Sequence, residues 1–304
     1  MIIEMPSTTT NDVNKRLVKL RDEGGAVALG RVLTLIVDVG TDDVEEAIEA
    51  ANSASREHPC RVIVIAPDLT RETSELDAQI RVGGDAGASE VIVLHPSGEL
   101  REHGDTLVIP LLLPDAPIVA WWPYSPPEVP SADPIGRMAQ RRITDSTKCG
   151  DSVATLKRLA GVYSPGDTDL AWTRITLWRG LLAAALDQPP YEKVTRVVVA
   201  GESTHPSVDL IAAWLAQELR CPVVIERQAD APAITMVRLE RHSGPIVLDR
   251  PDGKTAALRQ PDQPEHRIAL PIRQLAECLA EELRRLDSDE VYADVLTKGL
   301  ARLT

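Results

Sequence analysis

Chemistry would first be sought at Gly201-Glu202-Ser203-Thr204-His205, which lies between a strand-like run and a helix-like one. A nucleophile elbow requires G-x-S-x-G, where the last glycine relieves crowding around a strained serine. His205 occupies that last position, so the hydrolase motif fails. Two uses of the turn stay open. Ser203 or Thr204 can cap a helix beginning at Pro206, or the backbone amides can hold an anion, as helix N-termini do. Glycine-rich phosphate loops fare no better. Gly24-Gly25 to Gly30 precedes a strand instead of joining a strand to a helix, and Gly83 to Gly87 lacks both the dinucleotide spacing and the Walker lysine. His58, His95, His103, His205, His242 and His266 form no metal-binding pattern, and Cys60, Cys149, Cys221 and Cys278 are far apart with no C-x-x-C. The expectation is no metal, no cofactor, no catalytic set, and buried free thiols in a reducing compartment.

Two other segments could support recognition. Trp121-Trp122-Pro123-Tyr124 gathers aromatic residues at the end of a strand-like run, followed by Pro126-Pro127. Stiff loops bearing Trp and Tyr suit an interface, and the same residues would equally serve as core and connection. Arg137, Arg141, Arg142 and Lys148 form a basic group in an otherwise acidic chain. Guanidinium forks suit carboxylates or phosphates, so with Ser203 and Thr204 this group is an expected anion site or else a salt-bridged helix face.

The elements that must position these residues follow from apolar patterning. Val32–Val39, Arg61–Ala66, Val91–His95 and Pro117–Trp122 are apolar almost throughout, as parallel strands covered on both faces are. Arg142–Asp145 reads as a shorter strand. Thr41 is placed to cap a helix whose stripe is Val44, Ile48 and Ala51, after a first helix bearing Val13, Leu17 and Leu20. Further helices are expected near Thr106–Leu113, Pro134–Gln140 and Ser152–Gly161. Beyond Gly161–Asp169 comes a helix with Ala171, Ile175, Trp178, Leu182 and Ala185 on one face. A strand at Arg196–Ala200 and a helix from Pro206 follow. From Pro222 to Leu270 short strands alternate with hairpin signals at Ser243-Gly244 and Asp252-Gly253, which predicts an antiparallel meander. Two helices close the chain, one of them Pro271–Leu286. The expected fold is α/β: an N-terminal domain over 1–165 with a mainly parallel sheet flanked by helices, then an α+β domain over 166–304.

Composition narrows the function classes. The 304 residues carry a net charge of −13, which disfavours nucleic acid and anionic membrane as general partners. No apolar run of bilayer length occurs and the N-terminus lacks signal-peptide regions, so a soluble cytoplasmic protein is expected. With no complete catalytic set, binding another protein is the favoured role.

One stretch carries a resemblance. Asp169-Leu170-Ala171-Trp172-Thr173-Arg174-Ile175-Thr176-Leu177-Trp178-Arg179 closely resembles the hallmark helix of the OpcA family, the glucose-6-phosphate dehydrogenase assembly proteins. Gly25 to Arg31, Ala120-Trp121-Trp122 and Arg142-Ile143-Thr144-Asp145-Ser146 are similar to the family as well, most nearly in its actinobacterial form. The resemblance implies a non-catalytic activator that binds glucose-6-phosphate dehydrogenase and supports NADPH supply in the oxidative pentose phosphate pathway. It transfers no catalytic residue. Within the hallmark, Trp178 shares the apolar stripe and is expected in the core. Trp172, Arg174 and Arg179 fall off that stripe, which makes them candidates for partner contact or for a seam between domains. Replacing Trp172 and Arg179 by Ala is then expected to weaken partner binding and leave the fold intact.

Overall fold

The computed structural model describes residues 1–23, 32–40, 43–82 and 90–303. Four sequence features lie outside the described residues: the Gly24-Gly25 turn, the Gly25 to Arg31 motif, the Thr41-Asp42 pair and the Gly83 to Gly87 loop. In chain order the elements begin β1 (Ile2–Met5), α1 (Thr10–Glu23), β2 (Leu33–Asp38), α2 (Val44–Ser55), β3 (Cys60–Ile65), β4 (Leu76–Arg81) and β5 (Glu90–Pro96). Then come α3 (Gly104–Val108), β6 (Ile118–Trp122), β7 (Arg141–Thr144), α4 (Ser152–Gly161), β8 (Asp167–Asp169), α5 (Leu170–Thr173) and α6 (Thr176–Leu186). The remainder is β9 (Arg196–Glu202), α7 (Pro206–Leu219), β10 (Val223–Gln228), β11 (Ile234–Glu240), β12 (Ile246–Asp249), β13 (Thr255–Arg259), β14 (His266–Ala269), α8 (Leu275–Leu283) and α9 (Glu290–Asp294).

Two compact units divide these elements. The first comprises Met1–Asp145, Gly166–Thr168 and Leu275–Ser288. Its sheet runs β1-β4-β5-β3-β2-β6-β7-β8, with parallel pairing from β5 through β3, β2 and β6 to β7. Strands β2 and β3 are buried almost end to end, which is what a parallel sheet covered on both faces demands. The antiparallel edge of β4 and β1 goes beyond what the apolar runs predict. Its signature is the alternation in Leu76-Asp77-Ala78-Gln79-Ile80-Arg81, where the three apolar residues are buried. Trp122 joins Val13, Ile36, Ile63 and Leu94 in one core. Burying one indole removes roughly 150–250 Å² from water, about 4–6 kcal/mol at about 25 cal/mol per Å². At the centre of this sheet Arg61 and Glu90 face each other on β3 and β5 in an ion pair of 2.8 Å, each side chain 3% exposed. Arg61 Nη1 also donates to the Leu111 carbonyl at 2.6 Å.

Several local expectations give way to specific competitors. Asp43 N-caps α2, its carboxylate accepting from the Glu45 and Glu46 amides. No helix forms over 134–140, where the chain turns and the Asp133 carboxylate accepts from the Ile135 and Gly136 amides. The helix expected to Leu113 ends at Val108, and Pro110 sits in a following 3-10 turn. The thiols are unbridged, yet only Cys60 and Cys278 are buried while Cys149 and Cys221 are half-buried.

The second unit comprises Ser146–Pro165, Asp169–Gln274 and Asp289–Thr304. Its sheet runs β10-β9-β11-β12-β13-β14, and every neighbour from β9 to β14 is antiparallel. The meander expected from Pro222 onward thus begins at β11. Strand β10 instead pairs parallel to β9, because α7 carries the chain back across the sheet. Helix α7 buries Val208, Leu210, Ile211 and Leu215 against Val197, Val199 and Val237 of the sheet. Among the described residues no helix is long and apolar enough to cross a membrane.

Candidate functional site

The hallmark stretch folds as two helices. The Asp169 carboxylate caps α5 by accepting from the Ala171 amide, and it also accepts from the Ser146 amide and hydroxyl at 2.9 and 2.8 Å. Ile175 leaves the helical region at φ −97°, ψ 4°, and α6 starts afresh at Thr176. That break is why a single stripe misassigns Trp172. The five residues expected to face inward, Ala171, Ile175, Trp178, Leu182 and Ala185, are all buried, and Trp172 is buried as well at 1% exposure. Its indole Nε1 donates to Asp289 at 2.8 Å, its ring meets Tyr292 at 5.8 Å, and the Arg179 guanidinium stacks 3.7 Å above it. Trp172 is therefore a packing residue. Its replacement by Ala opens a cavity, contrary to the expectation of an intact fold.

The other aromatic candidates are also interior. Trp121 and Trp122 are 0% and 2% exposed on β6. Tyr124 is buried with its hydroxyl 2.9 Å from both the Asp43 carbonyl and a Glu46 carboxylate oxygen. Of the residues expected to meet a partner, Arg174 and Arg179 are half-buried and reach the surface. Between them Leu177 is 46% exposed.

The basic group is not brought together on one face. Arg141 and Arg142 are successive residues of a strand, so their side chains leave on opposite sides. Arg141 pairs with the Glu282 carboxylate and donates to the Asp287 carbonyl at 3.0 Å. Arg142 pairs with Asp167 and donates to the Ala139 carbonyl at 3.0 Å. Protein carboxylates thus already occupy both forks. Arg137 is exposed and donates to the Ala132 carbonyl, and Lys148 is exposed in a 3-10 turn over Ser146–Lys148. The Gly201 turn is likewise committed internally. The Glu202 carboxylate accepts from the Thr204 amide at 2.9 Å and lies near the Ser203 and Thr204 hydroxyls, where an outside anion would have to sit. The cap of α7 is His205, whose Nδ1 accepts from the Ser207 amide, so neither Ser203 nor Thr204 caps it.

A different constellation appears beside that cap. A cleft with about 290 Å³ of empty space is lined by Arg174, Arg250, Arg273, His205, Ser207 and Trp178, together with apolar side chains. Arg250, at the end of β12, is 3% exposed. Its Nη atoms donate to the carbonyls of Leu270 at 3.0 Å and Ile234 at 2.8 Å, and its guanidinium lies 5.0 Å from the Trp178 ring centre. Among the described residues its Nε has no hydrogen-bond partner. Burial pulls Arg250 down to about 10, with Asp252 a minor opposing influence. Arg273 donates to the Thr173 carbonyl at 2.8 Å at the end of α5. Sequence reading reaches Arg174 and His205 but misses Arg250 and Arg273, since they converge only through strand order and carry no local motif. Among the described residues no group of three or more His, Cys, Asp or Glu side chains could hold a metal ion.

Two family domains match this chain. Residues 51–161 match the N-terminal domain of the glucose-6-phosphate dehydrogenase subunit family, and residues 165–296 match the C-terminal domain of the same family. The chain is 28% identical over 184 residues to an OpcA protein of Synechococcus elongatus, covering 56% of this chain and 41% of that protein. It is 26% identical over 218 residues to an OpcA protein of Nostoc punctiforme, covering 64% and 47%. The chain therefore spans less than half the length of these curated relatives. Among solved structures, a myo-inositol dehydrogenase from Lactobacillus casei is similar with a TM-score of 0.42 and 9% identity, over 89% of this chain and 93% of that one. At that score the similarity carries no inference. Through its matched N-terminal and C-terminal domains, the chain belongs to the OpcA family.

Proposed function

We propose that this protein is a non-catalytic component that binds glucose-6-phosphate dehydrogenase and raises its activity, and with it NADPH production in the oxidative pentose phosphate pathway. The observation that carries this reading is the pair of family domains, both described as parts of a glucose-6-phosphate dehydrogenase subunit, which together run from residue 51 to 296 with a gap of a few residues. The curated relatives bear names that place them in the OxPP cycle. A binding protein activates only by favouring the active form of its partner; equal affinity for both forms would shift nothing. The proposed contact face lies on α6. Leu177 is exposed there, Gly180 and Ala184 follow it at helical spacing, and Arg174 and Arg179 stand at its margin. A small exposed apolar surface rimmed by arginines is a common composition for a hot spot.

The test is titration of this protein into glucose-6-phosphate dehydrogenase from the same organism, following NADPH formation and co-elution. Saturable activation with a stable complex supports the reading. A folded Leu177→Asp variant should then bind at least tenfold more weakly, since it puts a charge into the contact. No association and no change of rate, with substrate present, would sink the proposal.

A further inference from the structure

We infer that the second unit takes up an extended peptide segment of a partner protein, acidic at one end and apolar at the other, as an added strand along the outer edge of β10. The edge itself is the first observation. Strand β10 ends its sheet and pairs on one side only, parallel to β9. At six residues it is longer than β1, β8 and β14, which end sheets at four, three and four. Its register with β9 is continuous from Val223 to Gln228, with no bulge and no internal proline to blunt it.

Main-chain geometry decides which groups that edge offers. The Val197 amide donates to the Pro222 carbonyl at 2.9 Å, and the Ser203 amide to the Gln228 carbonyl at 3.1 Å. The N–H and C=O of one strand residue point the same way and successive residues alternate, so the even-numbered positions face β9. Val223, Ile225 and Arg227 therefore turn their amides and carbonyls outward, where they meet no main-chain partner among the described residues. Their side chains share the face that α7 covers. Val223 and Ile225 pack at the margin of the core there, and Arg227 pairs with Asp209 of α7 at 2.6 Å.

The second observation is a pair of recesses along that face. Ile225 lines a groove of about 190 Å³ whose other apolar walls are Val153, Leu156, Leu300 and Leu303. An apolar cavity of roughly 150 Å³ already takes up a benzene ring, so this groove has room for a leucine side chain. Val223 lines a second, more open hollow of about 470 Å³ together with Arg220 and Arg302. An added strand repeats its side chains on one face every two residues, about 6.6 Å, which is the step from Val223 to Ile225. Successive side chains of the guest thus fall over the two recesses. In strand addition the main chain supplies affinity, and pockets for alternate side chains supply specificity.

Charge names the guest. Arg220, Arg302 and Lys157 are exposed at the two recesses, and among the described residues none of them makes an ion pair. Asp209, which also lines the groove, is taken by Arg227. Unpaired cations beside a strand edge, in a chain of net charge −13, favour a guest that brings carboxylates. An antiparallel copy of β10 centred on Ile225 would set Val223 opposite Arg227 and bring cations to both ends, so a second copy fits less well.

The test uses the full chain and synthetic peptides, so its outcome does not depend on the enzyme-binding proposal. Fluorescence anisotropy is followed for labelled Thr-Asp-Thr-Asp-Thr-Leu-Thr-Leu-Thr and for the reverse sequence, each against its counterpart with Lys for Asp. The expected result is saturable binding of at least one aspartate peptide, with the lysine counterpart at least tenfold weaker; the tighter direction gives the strand orientation. Hydrogen exchange at the Ile225 and Arg227 amides should slow at least tenfold in the complex, which separates strand addition from attraction to surface charge. Arg220→Glu with Arg302→Glu, both at exposed positions, should weaken binding at least tenfold at an unchanged melting temperature. Ile225→Pro removes an outward amide that β9 does not use and should abolish binding. Should that variant fail to fold, the charge reversal and the exchange pattern decide the matter. No saturable binding of either aspartate peptide, equal binding of the lysine peptides, or unslowed amides would overturn the inference. Protection of those amides by self-association of the chain alone would overturn it too, assigning the edge to a second copy.

Discussion

Trp172 gives the sharpest test of how the hallmark stretch works. Its side chain is 1% exposed, donates to Asp289 at 2.8 Å and carries the Arg179 guanidinium 3.7 Å above its ring. Trp172→Ala removes a buried indole from a packed core, a change that costs about 3–5 kcal/mol. Trp172→Phe keeps most of the apolar area. It loses the hydrogen bond to a half-buried carboxylate and part of the stacking, together about 1–2 kcal/mol. Arg179→Ala loses the stack and the hydrogen bond to the Thr176 hydroxyl, about 0.5–1 kcal/mol. Leu177→Ala, at an exposed position, should stay within about 0.5 kcal/mol of the parent. Urea unfolding followed by near-ultraviolet circular dichroism reads these directly. With a slope near 2 kcal/mol per molar, Trp172→Ala moves the midpoint by about 1.5–2.5 M and Arg179→Ala by no more than about 0.5 M. With two compact units, the transition need not be two-state, so the shift is read on the phase that Trp172→Phe also moves. A shift under about 0.5 M for Trp172→Ala, at unchanged slope, would refute the packing role and return the residue to the surface. The same numbers decide which variants can probe partner binding: loss of binding in Trp172→Ala reports lost packing, whereas Leu177 and Arg179 variants keep the fold.

Three further outcomes follow from the geometry. Glu90→Gln leaves the buried Arg61 uncompensated at 3% exposure and should cost about 3–5 kcal/mol, while Arg61→Met with Glu90→Leu recovers most of it; melting of the three proteins checks this. Arg71 lies 2.7 Å from Asp68 and 2.6 Å from Asp77. The Thr70 hydroxyl first, then Arg71, pulls Asp68 down to about 2, and the Ser7 amide first, then Arg71, also lowers Asp77. Groups depressed in the folded state stabilise above the unfolded value of about 3.9 and lose that effect as pH falls through the folded one. Arg71→Gln should therefore melt lower than the parent at neutral pH, with the gap closing between roughly pH 4 and 2; a gap constant with pH would contradict the assignment. A Cβ at Gly201 would meet the Ala233 carbonyl oxygen at 2.5 Å and Val208 Cγ2 at 2.7 Å. Gly201→Ala should accordingly destabilise by about 1–3 kcal/mol, measured as a lower urea midpoint.

What composition and patterning determined was the class of the fold and its family. Runs such as Leu33–Asp38 and Cys60–Ile65 are apolar but for Thr34, Asp38 and Arg61, and that property follows from covering a strand on both faces whatever the rest of the chain does. Hairpin signals such as Asp252-Gly253 act over four residues, so the meander from β11 to β14 was legible. The hallmark stretch identified the family without any geometry. Burial of Ala171, Ile175, Trp178, Leu182 and Ala185 could be read from helical spacing, since it needs only the period.

Tertiary structure decided everything that depends on which distant residues meet. Periodicity treats 170–186 as one helix, whereas the break at Ile175 rotates Trp172 inward, onto Asp289 and Tyr292, more than a hundred residues away. Arg141 and Arg142 look like a basic cluster in the chain, yet Glu282 and Asp167 neutralise them through contacts that no local pattern records. Arg250 and Arg273, silent in the sequence, come to the start of α7 because the strand order places the ends of β9, β11 and β12 together. Local propensity and hydrophobic period act within a few residues, so they choose elements. Charge pairing and cleft formation act through space, so only the packed chain shows that Arg141 and Arg142 are neutralised.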